Sequence, residues 1–296
     1  MGAKLRETRR RIRSVQSTMK ITRAMELIAA SRIVKAQQRV EASRPYAERL
    51  TAAISDVASV TSNLSNPLLQ SRPNPTTAAV FVVSSDRGLA GAYNASILRR
   101  TEELLSLLKS EGKEPKLFVA GRKAISYFRF RGRPMEETWA GFSETPTYED
   151  AEKIAKALME RFAAGDVDEI HGVFTHFASL VRTPAVARRF VPMVVETVDR
   201  PADHARTLEN QYIFEPEPEA LLDALLPRYV TTRVYTALLE AAAAENAARR
   251  RAMSAATENA EDLIKVLGRV ANQARQTEIT TEIMEIVGGA EALRQA

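Results

Sequence analysis

The chain has 296 residues, of which 45% are hydrophobic and 27% charged, and its formal net charge is +5. It contains no cysteine and three histidines, which excludes a disulfide framework and thiol chemistry and argues against a histidine-built metal site. No apolar run reaches the ~18 residues of a membrane span and no secretory signal is apparent, so we expect a soluble, cytoplasmic protein.

The beginning of the chain predicts one long helix. Ala3 to about Ser59 contains no glycine and a single proline, Pro45. With Leu5 at heptad position a, large apolar side chains recur at a and small ones at d along the whole stretch, interrupted at Glu26. Residues 1–50 carry thirteen Lys or Arg against four Glu, a charge of +9. Such a basic stretch indicates an acidic partner or a solvated helix face, and the sequence alone leaves both open.

Residues 78–198 predict an α/β domain, bounded by linkers at 61–77 and 199–218. The run of apolar and β-branched residues at 78–84 is typical of a strand covered on both faces. Alternating strand and helix patterns predict a mostly parallel sheet. The predicted strands are 78–84, 116–120, part of 133–140, 169–177 and 190–198, and the predicted helices are 94–110, 121–129 and 147–164, the last with Thr147 as its N-cap.

A second long helix is predicted from about residue 219 to the end, at residue 296. Its length calls for a coiled-coil, membrane or repeat explanation, and its many charges exclude a membrane span. Its apolar residues form two stripes that are out of phase with each other. The first stripe is Leu263, Leu267, Val270 and Ala274, and the second is Ile279, Ile283, Ile286, Ala290 and Leu293.

The two long helices must run antiparallel, because short links join both of them to one inserted domain. If Val57 lies opposite Leu222, residue 3 lies opposite about residue 276. Residues from about 277 onward then have no partner within the chain. The second apolar stripe would be exposed to water unless another protein covers it. The sequence therefore predicts a socket for this end in a partner protein.

Few residues suggest chemistry. The loop Ser84–Asn94 (SSDRGLAGAYN) follows a strand and precedes a helix, as a phosphate-binding loop does, but it lacks G-x-G-x-x-G and G-K-[ST]. A tight strand-to-helix turn is the favoured interpretation. His171 and His176 are five residues apart on a predicted strand and so face opposite sides, which argues against shared metal ligation. On the first helix, Ile21, Met25 and Ile28 form a second apolar stripe away from the seam, which indicates an outside contact or scattered surface residues.

Several motifs together resemble the gamma subunit of the F-type ATP synthase, of bacterial type, and the resemblance spans essentially the whole chain. It implies a long antiparallel coiled-coil hairpin of the N- and C-terminal helices with an inserted Rossmann-like α/β domain. The motifs are MKITRAMELIAASRI (19–33), SRPYAE (43–48), SSDRGLAGAYN (84–94), LLPRYVTTRVYTALLEAAAAE (225–245), AMSAATENAEDLI (252–264) and ARQTEITTEIMEIVGGAEAL (274–293).

The resemblance implies the central rotor shaft of an ATP synthase, which couples proton-driven rotation of a membrane c-ring to the cycling of three catalytic beta subunits. It implies no active site, cofactor or metal in this chain. The implied partners are the alpha and beta subunits of the head, the epsilon subunit and the c-subunit ring, without nucleic acid and without membrane insertion. The implied location is peripheral, at the cytoplasmic face of the cell membrane.

The motifs also carry candidate contact residues. By resemblance, Arg23, Met25, Glu26 and Ile28 lie in the part of the first helix that meets a beta subunit. Polar residues of the closing helix that would face the head are Arg249, Gln276, Thr280 and Glu282, and the end held in an apolar bearing would include Ile283, Ile286, Val287, Ala290 and Leu293. Ala90 stands where many family members have cysteine, which implies no thiol role there.

Two other functions remain open from sequence. A nucleic-acid-binding protein with a basic helical arm would explain the +9 stretch, although Tyr46 is its only aromatic residue. A nucleotide-binding α/β enzyme would explain the inserted domain, but it needs a phosphate-binding loop that the chain lacks.

Overall fold

The computed structural model describes residues 3–60, 66–70, 72–193 and 215–295, with side chains for 3–59, 66–70, 72–193 and 215–290. Two long helices precede and follow an α/β segment, as the sequence predicts. In chain order the elements are α1 (Ala3–Val60), β1 (Thr77–Val83), α2 (Tyr93–Ser110), β2 (Glu114–Ala120), α3 (Arg122–Phe130), β3 (Glu137–Trp139), α4 (Tyr148–Ala163), β4 (Glu169–Thr175), β5 (Ala185–Val191) and α5 (Pro218–Gln295).

The residues group into two compact units. The two-helix unit contains the residues up to Ala30 together with those from Arg249 onward. The sheet unit contains Ser31–Ala248 and therefore the whole α/β segment. Each unit includes part of α1 and part of α5. Within the described ranges, no helix is both long enough and apolar enough to cross a membrane.

Over the described residues, the sheet has five strands in the order β3-β2-β1-β4-β5. The first four strands are parallel, and β5 is antiparallel to β4. The central strand β1 is fully buried from Ala78 to Val82, which confirms that its apolar run is a strand covered on both faces. The arrangement is an open, Rossmann-like sheet with helices on both sides.

Alternate side chains of β1 belong to two separate cores, because successive residues of a strand point to opposite faces. Ala79, Phe81 and Val83 pack with α4 and α5, whereas Val80 and Val82 pack with α2 and α3. Each large side chain buried in such a core stabilises the fold by about 1.5–3 kcal/mol. These two cores hold the sheet unit together.

The start of α4 confirms the predicted N-cap. The Thr147 hydroxyl accepts a hydrogen bond from the Asp150 N–H at 3.2 Å, and the Asp150 carboxylate accepts one from the Thr147 N–H at 2.9 Å. This reciprocal pair satisfies N–H groups that the first turn leaves without helical partners. It fixes the point at which the preceding loop meets α4.

The last strand differs from the sequence prediction. A strand was predicted at 190–198, whereas β5 begins at Ala185 and ends at Val191. Exposed Arg188 and Arg189 interrupt its apolar pattern, because β5 is an edge strand whose two faces are unequally covered. Residues 194–198 of the predicted strand lie outside the described residues. The third predicted strand is confirmed but is short, at Glu137–Trp139.

The first part of α5 is buried in the sheet unit. Val230, Val234 and Leu238 belong to the core with α4, and Ala244 and Ala248 belong to the core with α2 and α3. Every residue from Ala241 to Ala248 is buried. The alanine-rich run is therefore covered on all sides, because its small side chains allow close approach of neighbouring elements.

Candidate partner-binding surfaces

A buried pair of threonines fixes how α1 and α5 align in the two-helix unit. The hydroxyl oxygens of Thr22 and Thr257 lie 2.8 Å apart in a buried contact. The same antiparallel offset places Ala3 opposite Gln276, in agreement with the predicted alignment. Leu5 and Ala274 line one surface groove of about 400 Å³, as this offset requires. Val57 and Leu222, from which the alignment was derived, belong to one apolar cluster of the sheet unit.

The seam of α1 is the predicted one, but the seam of α5 is shifted. All a and d positions of α1 from Leu5 to Val57 are buried or half-buried. On α5, the first apolar stripe is divided, because Leu263 and Val270 are 38% and 37% exposed whereas Leu267 is buried and Ala274 is half-buried. The residues that face the seam are Met253, Thr257, Ala260, Ile264, Leu267, Ala271 and Ala274. Most of them are small because the a positions of α1 are large and fill the space between the helices.

The predicted contact residues of α1 lie together beside this seam. Ile28 is 53% exposed and Met25 is half-buried. The Arg23 guanidinium donates to the Glu26 carboxylate at 3.0 Å. Glu26 occupies a seam position and its side chain is only 15% exposed, whereas that of Arg23 is 62% exposed. With Ile21, at 58% exposed, they form a mixed apolar and basic surface that is open to a partner.

The predicted polar residues of α5 divide into two groups. Gln276, Thr280 and Glu282 are exposed, although the Thr280 hydroxyl donates to the Gln276 carbonyl at 2.9 Å. Arg249 is only 5% exposed. Its side chain is enclosed by other residues of the chain, and its contact with the head stays a prediction.

The end of α5 carries an apolar surface. Beyond half-buried Glu278, every residue from Ile279 to Ala290 is exposed. Ile283, Ile286 and Val287 are 54%, 71% and 56% exposed, and Ile279 is 47% exposed. The side chain of Leu293 lies outside the described residues. Clustered apolar residues of this kind mark interaction surfaces. We call this set the apolar end, and it consists of Ile279, Ile283, Ile286, Val287 and Ala290.

The loop at Ser84–Asn94 is a structural clamp. The Asp86 carboxylate accepts backbone N–H groups of Arg122 at 3.1 Å, Gly141 at 2.8 Å and Ser143 at 3.0 Å. These contacts join the end of β1, the start of α3 and the loop after β3. The backbone at Gly121 also passes very close to Ser84, so this position requires glycine. Its φ is +102°, and a Cβ there would lie 2.2 Å from the Ser84 carbonyl oxygen.

The crevice where open α/β sheets bind ligands is filled in this protein. Such ligands lie beyond the carboxyl ends of parallel strands, in pockets of about 300–1,000 Å³. Here the cavity beside Ser84, Asp86 and Gly121 has a volume of about 10 Å³ and is closed by Leu238 and Ala241 of α5. This cavity has no room for a nucleotide.

The two histidines have separate partners. His171 lies 2.9 Å from Glu169, and His176 lies 2.7 Å from Glu240. Burial lowers the pKa of His171 despite its hydrogen bond to Glu169. Burial raises the pKa of Glu169, but hydrogen bonds from His171 and Lys113 outweigh it and the pKa is lowered. Among the residues whose placement is described, no group of acidic residues and histidines is arranged to hold a metal ion.

Sequence reasoning missed Asp168, which ties the start of β1 to the rest of the sheet unit. Its carboxylate accepts the N–H groups of Thr76 and Thr77 at 2.8 and 2.9 Å and the Arg72 guanidinium at 3.0 Å. Burial raises its pKa, but these hydrogen bonds outweigh burial and lower the pKa to about 2. An acidic residue in a loop gives no sequence signal for such a role, because its partners lie more than ninety residues away.

Comparison with known proteins gives a consistent result. A family model described as ATP synthase matches residues 4–293. The chain is 57% identical to the ATP synthase gamma chain of Mycolicibacterium vanbaalenii, over 100% of both chains. It is 59% identical to that of a Parafrankia species, over 99% of both chains. These relatives give no support to a nucleic-acid-binding function.

Solved structures share the fold. A chain in the mitochondrial ATP synthase of Euglena gracilis (OSCP, F1 and c-ring, rotational state 3) superposes with a TM-score of 0.66 at 14% identity. The match covers 99% of this chain and 95% of that chain. A chain in the central stalk and c-ring of the Tetrahymena thermophila enzyme gives 0.59 at 23% identity, covering 80% and 99%.

Proposed function

Because the chain belongs to the family of ATP synthase gamma chains, we propose that it is the central rotor shaft of an F-type ATP synthase. The observation that carries this proposal is the apolar end. Its isoleucines lie beyond the seam and are 47–71% exposed. A stretch of helix with this surface is suited to turn within an apolar socket formed by other subunits.

The proposed mechanism is mechanical. A shaft whose sides differ presents a different surface to each of three beta subunits, and each surface favours a different conformation of the subunit it touches. Turning the shaft exchanges the three catalytic sites among their states. During ATP synthesis, proton flow through the c-ring drives the rotation. During ATP hydrolysis, the same shaft turns in the opposite direction.

The chain itself performs no bond chemistry in this proposal. The filled crevice at the sheet supports that view, because a cavity of about 10 Å³ holds no substrate. Instead, we propose that the sheet unit attaches the chain to the epsilon subunit and the c-ring. The complex would place the chain at the cytoplasmic face of the cell membrane, without insertion into the bilayer.

Specific residues are proposed to meet the head. Met25 and Ile28, with Arg23 and Glu26 beside them, would contact an acidic loop of a beta subunit. The exposed basic residues of α1 complement such a loop in charge. On α5, a second set of residues would contact the head, namely Gln276, Thr280 and Glu282. The apolar end would lie in the apolar socket formed by the head subunits.

Co-purification tests the proposal. A tagged copy of the chain, expressed in its own cell and extracted from membranes in mild detergent, is expected to recover alpha, beta and epsilon subunits and c-subunits. The matched control is a tagged copy that ends at Gln276 and so lacks the apolar end. It is expected to retain epsilon and c-subunits and to lose alpha and beta. Recovery of the folded, full-length chain alone, or with nucleic acid, would refute the proposal.

A further inference from the structure

The sheet unit holds the two long helices unequally. Five residues of α5 between Val230 and Ala241 belong to one core and two more, Ala244 and Ala248, to the other. In the described part of the chain, neither core includes a residue of α1. The apolar cluster that does include α1 is built on Val57 with Leu222 and Leu226. The sheet therefore packs directly against α5, whereas α1 is buried mainly through its seam, at residues such as Ile33, Ala36 and Leu50.

An ion-pair bridge joins α1 directly to the α/β segment. The Arg32 guanidinium donates to Glu144 Oε2, and the Arg87 guanidinium lies 3.7 Å from the same oxygen. The Glu144 side chain is only 15% exposed, so the pair is less screened by water than an ion pair on open surface. Arg32 and Val57 are 25 residues apart on α1, which corresponds to roughly 37 Å along a helix.

The loop that carries Glu144 is fixed on both sides. Before it, the Asp86 carboxylate accepts the N–H groups of Gly141 and Ser143, and the Ser143 hydroxyl accepts the Asp86 N–H at 2.9 Å. After it, Thr147 and Asp150 form the reciprocal cap of α4. Little entropy is lost when a group held in this way forms its ion pair, so Glu144 is well placed to resist movement of α1.

We propose that the Arg32–Glu144–Arg87 bridge is a mechanical anchor that makes the part of α1 from Ser31 onward turn together with the α/β segment. The bridge attaches this part of α1 directly to the loop before α4, in addition to its seam and to the cluster at Val57. The anchoring follows from the contacts alone, and its mechanical role rests on the proposed function as a rotor shaft. Glu144 is thus a positioning residue for the part of α1 around Arg32.

A distance measurement in the isolated full-length chain tests the anchor. The chain has no cysteine, so spin labels can be attached at Lys35→Cys on α1 and Lys153→Cys on α4, both exposed positions. Pulsed EPR distances are compared between the labelled parent, Glu144→Gln and the matched control Glu149→Gln. Glu149 is an exposed glutamate in the first turn of α4.

Glu144→Gln is expected to broaden the distance distribution, and Glu149→Gln is expected to leave it unchanged. The ratio of anchored to released α1 should fall about two- to fivefold, which corresponds to the ~0.4–1 kcal/mol of a partly exposed ion pair. Identical distributions for the parent and Glu144→Gln would overturn the anchor.

Two further measurements keep the test decisive. If Glu144→Gln is poorly folded by circular dichroism, Arg32→Gln removes the same bridge from the α1 side and takes its place. In assembled complexes, Glu144→Gln is expected to hydrolyse ATP normally but to pump fewer protons per ATP. Normal pumping with a broadened distance would overturn the mechanical role. Failure of the parent chain to assemble would refute the proposed function and leave the distance result standing.

Discussion

Shortening two isoleucines of the apolar end should weaken the assembly without affecting the isolated chain. Ile283 and Ile286 are 54% and 71% exposed, so much of each side chain is available to a partner. Full burial of an isoleucine side chain contributes about 1.5–3 kcal/mol. Covering the exposed fraction in a socket should therefore contribute about 1–2 kcal/mol per residue, or about 2–4 kcal/mol for the pair. Ile283→Ala with Ile286→Ala should weaken binding of the head by about 30- to 1,000-fold.

The assay is binding of the isolated alpha–beta head to immobilised chain, with the dissociation constant measured for each variant. The matched control is Thr281→Ala, an exposed residue on the opposite side of the same helix. It should bind within about twofold of the parent, because a surface substitution away from a contact changes free energy by less than ~0.5 kcal/mol. Equal affinity of the double variant and the parent would refute the reasoning that the apolar end is buried by the head.

Three other substitutions test separate parts of the protein. Met25→Lys should reduce ATP-driven proton pumping more than folding, because it adds a charge at a half-buried position in the proposed contact with a beta subunit; normal pumping at normal assembly would count against that contact. Asp86→Ala should lower the free energy of unfolding in urea by about 2–3 kcal/mol, because three backbone N–H groups lose their acceptor, and an unchanged urea midpoint would contradict the clamp. The pKa of Asp168 is lowered from 3.8 to about 2 on folding, so its contribution to stability is present above pH ~4 and is lost as the pH falls toward ~2. Asp168→Asn should remove that part of the pH dependence in acid-unfolding curves, and curves of identical shape would show that Asp168 contributes nothing to it.

Much of the fold could be predicted because its signals are local. The glycine-free heptads of α1, the continuous apolar run of β1 and the cap at Thr147 each depend on residues close together in sequence. The structures that these signals predict, such as a helix with one apolar stripe or a strand buried on both faces, follow from the directions in which successive side chains point along a helix or a strand. The last strand was predicted at 190–198 instead of Ala185–Val191. An edge strand exposes charged residues such as Arg188, so its sequence lacks a continuous apolar pattern.

Among the candidate surface residues, exposure was predicted correctly where it depends on local sequence and incorrectly where it depends on packing. The exposure of Ile28, Gln276 and Ile286 agrees with expectation, since each lies off the seam or beyond its partner helix. Arg249 carries a charge and looks like a surface residue in sequence, yet its surroundings bury it. Whether an arginine is buried depends on which residues of other elements pack around it, and the sequence does not show which residues these are.

The sequence by itself determined that two long helices pair antiparallel, with Ala3 opposite Gln276, and that the end of the second helix extends beyond the first. Helix period and chain length suffice for that conclusion. Only the tertiary structure decided that Ala260 and Ala271, not Leu263 and Val270, face the seam. It also decided that Leu238 fills the crevice at the sheet and that Glu144 receives Arg32. Those contacts join residues distant in sequence, and they depend on which surfaces meet after the elements have packed.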